Sequence, residues 1–195
     1  MFEIESKKQE LLNFKTPSVE VKIVDVTERG YSLLPNATSS PNRIFWELTK
    51  RCNGSCTDCF MDSNAKKWYK DEVSFAEIKN IAGQFSDLGG YSVRLTGGEP
   101  TLREDLLEIV ELVIKKCRGL REIALNSNGF STARVVRVTR GIIELIKKHK
   151  KIEKFKFNVY ISLDGVGDVH SKVRGIPNGF EKVDKTLKEL KKLEK

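Results

Sequence analysis

The chain has 195 residues, 39% of them hydrophobic and 32% charged, and 35 lysines and arginines against 27 acidic residues give a formal charge of +8. That length supports one hydrophobic core rather than two, and no apolar run approaches the ~20 residues that span a bilayer. Four cysteines and no signal peptide argue against a disulfide-stapled secreted domain and for a reducing, cytoplasmic setting.

Residues 1–42 read as an N-terminal extension and residues 43–195 as the core domain. Met1 to Lys15 is polar, a helix or a loose tail. Val19, Val21 and Ile23 alternate up to Val26, and after Glu28-Arg29-Gly30 the run Tyr31 to Leu34 completes the pattern of a β-hairpin. Such a hairpin would cover an open sheet edge or floor. Pro35 to Asn42, rich in Ser, Pro and Asn, reads as a linker.

The apolar run Ile44 to Leu48 predicts a strand, and the loop after it holds Cys52, Cys56 and Cys59 in the spacing C-x3-C-x2-C. Three thiolates bunched on one strand-end loop suit three corners of a cubic iron–sulfur cluster and leave the fourth iron without a protein ligand. Zinc is the competing reading. It ordinarily takes four ligands, commonly as two C-x2-C knuckles, and the chain has no second knuckle. Chance proximity of the cysteines is the third.

Ser74 and Glu77 form a capping box that opens a helix with Ile78, Ile81, Ala82, Phe85 and Leu88 on one face, and Gly89-Gly90 ends it. Val93 to Thr96 then reads as a short strand running into Gly97-Gly98-Glu99-Pro100. The two glycines let the backbone approach a ligand, and Glu99 is placed on the rim, where a carboxylate accepts hydrogen bonds from a substrate ammonium. An ordinary strand-to-helix turn is the plain alternative. Thr101 and Glu104 suggest a second capping box ahead of a helix lined by Leu106, Val110, Val113, Ile114 and Cys117. Its place in that stripe makes Cys117 a small buried apolar residue rather than a fourth ligand.

Glu122 to Leu125 predicts a third strand, followed by Asn126-Ser127-Asn128-Gly129 and a helix from about Thr132 to His149. Phe157 to Ile161 predicts the fourth strand, followed by Ser162-Leu163-Asp164-Gly165, then His170 and Arg174-Gly175. A last helix starts near Phe180 with Val183, Leu187 and Leu190 turned inward. Four alternations of strand and helix predict an α/β fold with a parallel sheet and ligands at the carboxyl ends of its strands. Every motif named above lies at such an end.

The cysteine triad followed by Gly-Gly-Glu-Pro closely resembles the radical S-adenosylmethionine superfamily, and Asn126 to Gly129 and the Ser-Leu-Asp-Gly…His…Arg-Gly series extend the likeness over roughly residues 43 to 193. The resemblance implies a [4Fe-4S] cluster on Cys52, Cys56 and Cys59. It implies S-adenosylmethionine chelating the open iron, with Gly97, Gly98, Glu99, Ser127, Asn128, Ser162 and Arg174 as cofactor-binding residues. Reductive cleavage to a 5′-deoxyadenosyl radical, fed by an external one-electron donor, would follow, while no catalytic residue is assigned. The last series looks like members that modify peptides or build peptide-derived cofactors, which implies a peptide substrate or cofactor maturation. His170 is placed by the same series at the active-site rim.

The resembled family builds six strand–helix units, so this chain reads as a partial (β/α)6-type barrel with about four, truncated after the fourth. The bare last strand calls for a homodimer or a partner subunit to complete the sheet. Two alternatives stand beside this reading: an inactive truncated or split cluster-binding subunit, and a zinc-stabilised binding module. No cysteine follows Cys117, so no auxiliary cluster is expected within the chain.

The positive charge collects on helix exteriors, at Lys147 to Lys151 and Lys188 to Lys195, without interleaved aromatics. A solvated lysine face is the expected meaning, nucleic-acid binding is disfavoured, and no membrane partner is expected. An acidic leader peptide, a tRNA or an acidic electron donor of the flavodoxin or ferredoxin kind are the remaining readings. His149, at the end of its helix, reads as structural.

Overall fold

The computed structural model describes residues 42–59, 72–149 and 155–193, which lie in the compact unit Ser39–Lys195. The expected tail and hairpin, and the linker up to residue 41, fall outside the described residues.

Four strands, β1 (Arg43–Thr49), β2 (Ser92–Gly97), β3 (Glu122–Ser127) and β4 (Lys156–Ile161), pair in parallel in the order of the sequence. Between and after them run α1 (Phe75–Asp87), α2 (Leu106–Lys116), α3 (Thr132–His149), α4 (Asp168–Val173) and α5 (Gly179–Lys191). The expected α/β architecture, a partial barrel of four parallel strand–helix units, is the one observed.

Side chains alternate across a strand, so the pairing register decides what each face of the sheet carries. Trp46 lies opposite Leu95, Leu95 opposite Leu125, and Leu125 opposite Val159. On that face Leu48, Val93, Leu95, Ile123 and Leu125 are buried against Ile78 and Phe85 of α1, Ile109 and Val113 of α2, and Ile142 of α3. Each such burial contributes about 1.5–3 kcal/mol. The other face presents Phe45, Arg94 and Tyr160, with Phe45 65% and Tyr160 44% exposed. Helices therefore clothe one side of the sheet and leave the other open.

The Ser74–Glu77 capping box forms as expected, with each partner bonding the other's backbone. The second does not. Pro100–Leu102 is a single 3₁₀ turn, and α2 starts at Leu106 with no side-chain cap from Asp105. Arg103 explains the delay: its buried guanidinium donates to the Leu48 carbonyl at 2.6 Å, the Val73 carbonyl at 2.8 Å and the Asp105 carboxylate at 2.7 Å. Those bonds hold the segment out of the helix. Cys117 caps the far end of α2 and is fully buried, as its stripe requires.

Two apolar faces are narrower than their periodicity suggests. Leu88 is the exposed C-cap of α1 and Leu187 lies on the outside of α5, while Val183 is fully buried. Among the described residues each outer strand, β1 and β4, has one neighbour. No helix among them is long and apolar enough to cross a membrane.

Candidate active site

The carboxyl ends of all four strands meet around the loop Lys50 to Cys59. Its root is built by main-chain pairing: the Gly98 N–H donates to the Thr49 carbonyl and the Glu99 N–H to the Arg51 carbonyl, both at 2.7 Å. A Cβ on Gly98 would run into the Arg51 carbonyl oxygen, and Gly97, at φ 137°, presses on Thr49 in the same way. The glycines are there because two backbones touch. Arg51 steadies the root from outside, with Nε and Nη2 donating to the two oxygens of Glu72 at 2.7 and 3.2 Å.

Beyond the root, the loop tip meets the end of β3. Asn128 Nδ2 donates to Asn53 Oδ1 at 2.7 Å and approaches Cys52 Sγ at 3.6 Å, and the Gly54 N–H points at the same sulfur from 3.4 Å. The far side of the loop leans on α4. Ser55 N–H bonds the Arg174 carbonyl at 3.1 Å, Thr57 N–H bonds the Val173 carbonyl at 3.0 Å, and Gly175, at φ 60°, packs against the Ser55 carbonyl. Cys52 and Cys56 are partly buried and Cys59 is exposed.

Glu99 is not on the rim. It is 1% exposed, and its carboxylate accepts from Thr101 N–H at 3.2 Å, Thr101 Oγ1 at 2.6 Å, Ser127 Oγ at 3.0 Å and the Asn128 N–H at 2.7 Å. Both oxygens are occupied by the protein itself. Burial pushes the carboxyl up from its ordinary range, and the bonds from Thr101, Asn128 and Ser127 oppose that shift. Ser127 is thereby committed to Glu99 and Gly129.

Ser162 stands at the end of β4, its N–H bonded to the Ser127 carbonyl at 3.0 Å. Arg174, the C-cap of α4, grips Asp164 through Nε and Nη2 and directs Nη1 at Cys56 Sγ, 3.6 Å away. Burial tends to lower the guanidinium's pKa, but the Asp164 and Cys56 contacts prevail and hold it above its ordinary value. Burial also pushes the Cys52 thiol up, against the Gly54 N–H bond.

His170 lies deeper than the rim. It is fully buried in α4, edge-on to Phe130, with Nδ1 accepting the Asp164 N–H at 3.1 Å. Burial lowers its pKa, with the Asp164 carboxylate opposing, which favours the uncharged ring. His149 bonds Glu111 at 3.0 Å, linking α3 to α2, in keeping with a structural role.

The structure thus brings Cys52, Cys56, Gly97, Gly98, Glu99, Ser127, Asn128, Ser162 and Arg174 to one end of the sheet, with Cys59 on the outer turn of the loop. Three contributors escaped the sequence reading. Asp164 reads as a turn residue, although its ten-residue offset from Arg174 was the available signal. Asn53 carries no pattern. Arg94, a charge inside a short apolar strand, lies over the Phe45 ring at 5.0 Å and the Tyr160 ring at 4.4 Å on the open face.

Sequence comparison agrees with this geometry. The chain is 34% identical over 144 residues to the GTP 3′,8-cyclase of Haemophilus ducreyi, covering 72% of this chain and 41% of that protein. It is 34% identical over 162 residues to the GTP 3′,8-cyclase of Mannheimia succiniciproducens, covering 82% and 44%, and 32% identical over 137 residues to that of Actinobacillus pleuropneumoniae, covering 69% and 39%. It spans less than half the length of these curated relatives. The family model for the Radical SAM superfamily matches residues 46–194, nearly the whole of the described core, and the chain belongs to that superfamily.

Proposed function

We propose that residues 43–195 are the cofactor-binding core of a radical S-adenosylmethionine enzyme, with residues 1–42 as an extension to it. The superfamily's cofactors are a [4Fe-4S] cluster and S-adenosylmethionine, and the residues present fit both. The observation that carries this reading is the convergence of the cysteine loop, the Gly97-Gly98-Glu99 turn, the β3 end and Arg174 at one end of the sheet. Cys52, Cys56 and Cys59 would hold the cluster. Asn128 Nδ2 and Arg174 Nη1 are directed donors toward Cys52 and Cys56, as anionic thiolate ligands require.

A cluster held there would supply, when bound, the one electron needed for reductive cleavage of S-adenosylmethionine, the radical chemistry of the superfamily. The protein's part is to hold and orient. The Gly97-Gly98 carbonyls would take the methionine ammonium, and the Ser162 hydroxyl, with the second N–H of Arg174 Nη1, its carboxylate. Glu99 keeps the β2 and β3 ends in fixed register beneath them.

For the substrate, an anionic nucleotide is favoured over a peptide. Arg94 is held between two aromatic rings on the open face of the sheet, a cation and two planar surfaces suited to phosphate and base. The curated relatives are named for a cyclisation of GTP. Arg94→Ala should weaken GTP binding at least tenfold, whereas equal binding by the variant would remove the support for this choice.

The remaining partners are an external one-electron donor and a strand or subunit, a second copy included, on the edge of β4 that no strand among the described residues pairs. A cytoplasmic, reducing setting suits all of these. Anaerobic reconstitution with iron and sulfide tests the core claim: about four irons per chain, lost on Cys52→Ala, Cys56→Ala or Cys59→Ala and kept on Cys117→Ala. Stoichiometric zinc with no iron would establish the binding-module alternative. A cluster without 5′-deoxyadenosine formation under a strong reductant would establish the inactive-subunit alternative.

A further inference from the structure

Three residues outside the cysteine loop form a chain of contacts that ends on one of its sulfurs. Arg174 Nε and Nη2 engage both oxygens of Asp164, Nη2 at 3.1 Å. That two-point grip fixes the plane of the guanidinium, as a single-point lysine ammonium could not. The one remaining terminal nitrogen, Nη1, is left pointing at Cys56 Sγ from 3.6 Å.

Both ends of the grip hang from one buried residue, the Asp164 end from its ring and the Arg174 end from its main chain. His170 Nδ1 accepts the Asp164 N–H at 3.1 Å, and the His170 carbonyl accepts the Arg174 N–H at 2.9 Å. Because Nδ1 is an acceptor, the ring proton sits on Nε2, which is buried with no hydrogen-bond partner among the described residues. A buried donor left unmatched is costly. The ring is kept in this pose although Nε2 finds no partner, and among the described residues Nδ1 faces Asp164 alone, its N–H at 3.1 Å and its Oδ2 at 3.8 Å.

We propose that Arg174, positioned by Asp164 and His170, sets the reduction potential of the cluster through a directed N–H bond to the Cys56 sulfur. The proposal rests on the reading that Cys56 is a cluster ligand. A donor aimed at a thiolate ligand stabilises the more electron-rich, reduced cluster, and hydrogen bonds to the sulfurs are among the determinants of cluster potentials. In the couple concerned one electron passes from a poised mediator to the cluster. Arg174 keeps its protons in both states.

The test is a mediated redox titration of the reconstituted full chain followed by electron paramagnetic resonance. Arg174→Gln removes the charge and, its amide being two bonds shorter than Nη1, withdraws the donor from the sulfur; it should lower the reduced-to-oxidised ratio at the wild-type midpoint about tenfold, a 59 mV displacement for a one-electron couple. The double variant Asp164→Asn/Arg174→Gln restores the net charge of the pair to zero, so a remaining shift in the same direction reports the lost N–H bond. His170→Leu should shift the midpoint the same way by misplacing Asp164, and His170→Asn, which keeps an acceptor near the Nδ1 position, should return it toward wild type. A second substitution, Arg174→Lys, retains charge without the planar grip and should give a smaller downward shift.

A double variant with full iron content and the wild-type midpoint would overturn the proposal while leaving cluster binding intact. Loss of the cluster from both Arg174 variants, with His170→Asn retaining it, would also overturn it, because Arg174 would then hold the loop rather than tune the sulfur. Failure of the wild-type chain to bind any cluster would overturn the underlying reading and the proposal with it.

Discussion

The Asn128 main-chain N–H donates to Glu99 Oε2 at 2.7 Å, so a carboxylate from the end of β2 fastens the end of β3 in the protein interior. Removing that carboxylate strands four donors, the Thr101 and Asn128 amides and the Thr101 and Ser127 hydroxyls. Each buried orphan costs about 1–3 kcal/mol. Glu99→Ala is therefore expected to destabilise the fold by about 3 kcal/mol or more, seen as a lower urea midpoint at an unchanged slope. A midpoint equal to wild type would show that these bonds do not form.

Glycine substitutions should separate site from scaffold. Gly98→Ala and Gly175→Ala insert a methyl against the Arg51 and Ser55 carbonyls, on opposite sides of the cysteine loop. Both should reduce iron per chain after reconstitution, with a strain of about 1–3 kcal/mol for an alanine held at the positive φ of Gly175. Gly83, inside α1, has open space where its Cβ would be. Gly83→Ala should leave iron content unchanged and raise stability by about 0.5–1 kcal/mol. Equal iron loading in all three variants would contradict the packing described.

Stability in acid should depend on Glu111. Lys115 and His149 hydrogen-bond its carboxylate, and together with Lys148 they hold its pKa near 2, down from 4.5. A depressed acid pKa contributes stability that is present above the unfolded value of 4.5 and is lost as the pH falls toward about 2. Glu111→Gln should flatten the stability profile over that interval, and added salt should shrink the difference because the group is at the surface. Parallel profiles for the two proteins would refute the contribution.

Ser162 offers a direct probe of cofactor binding. Its main-chain N–H is committed to Ser127, so the hydroxyl can be removed without unseating the β4 end. Ser162→Ala should weaken S-adenosylmethionine two- to tenfold, the worth of one hydrogen bond of about 0.5–1.5 kcal/mol, with iron content unchanged. Superimposable titrations of the reduced cluster would remove Ser162 from the cofactor site.

Where structure follows from neighbours in the chain, the sequence was readable. The Ser74–Glu77 box and the strands at 43–49 and 92–97 follow from capping chemistry and β-propensity acting over a few residues. Glu104 fails as a cap partner because Arg103 reaches carbonyls 55 and 30 residues away. No local pattern records such bonds. The six residues of α4 are too few to show a helical period, and the interior positions of Glu99 and His170 depend on which strand ends face each other. The motifs named the site's members; only the parallel register of β2, β3 and β4 fixes which are walls and which are contacts.

The main-chain bonds from Ser55 and Thr57 to Arg174 and Val173 tie the cysteine loop to a segment more than a hundred residues downstream. During synthesis the three thiols leave the ribosome long before the surface that seats them exists. If the loop holds the cluster as proposed, its seat is complete only once the chain has been made through Gly175, and iron offered earlier meets an unseated loop. Release-stalled chains ending before and after that residue should then differ sharply in the iron they retain.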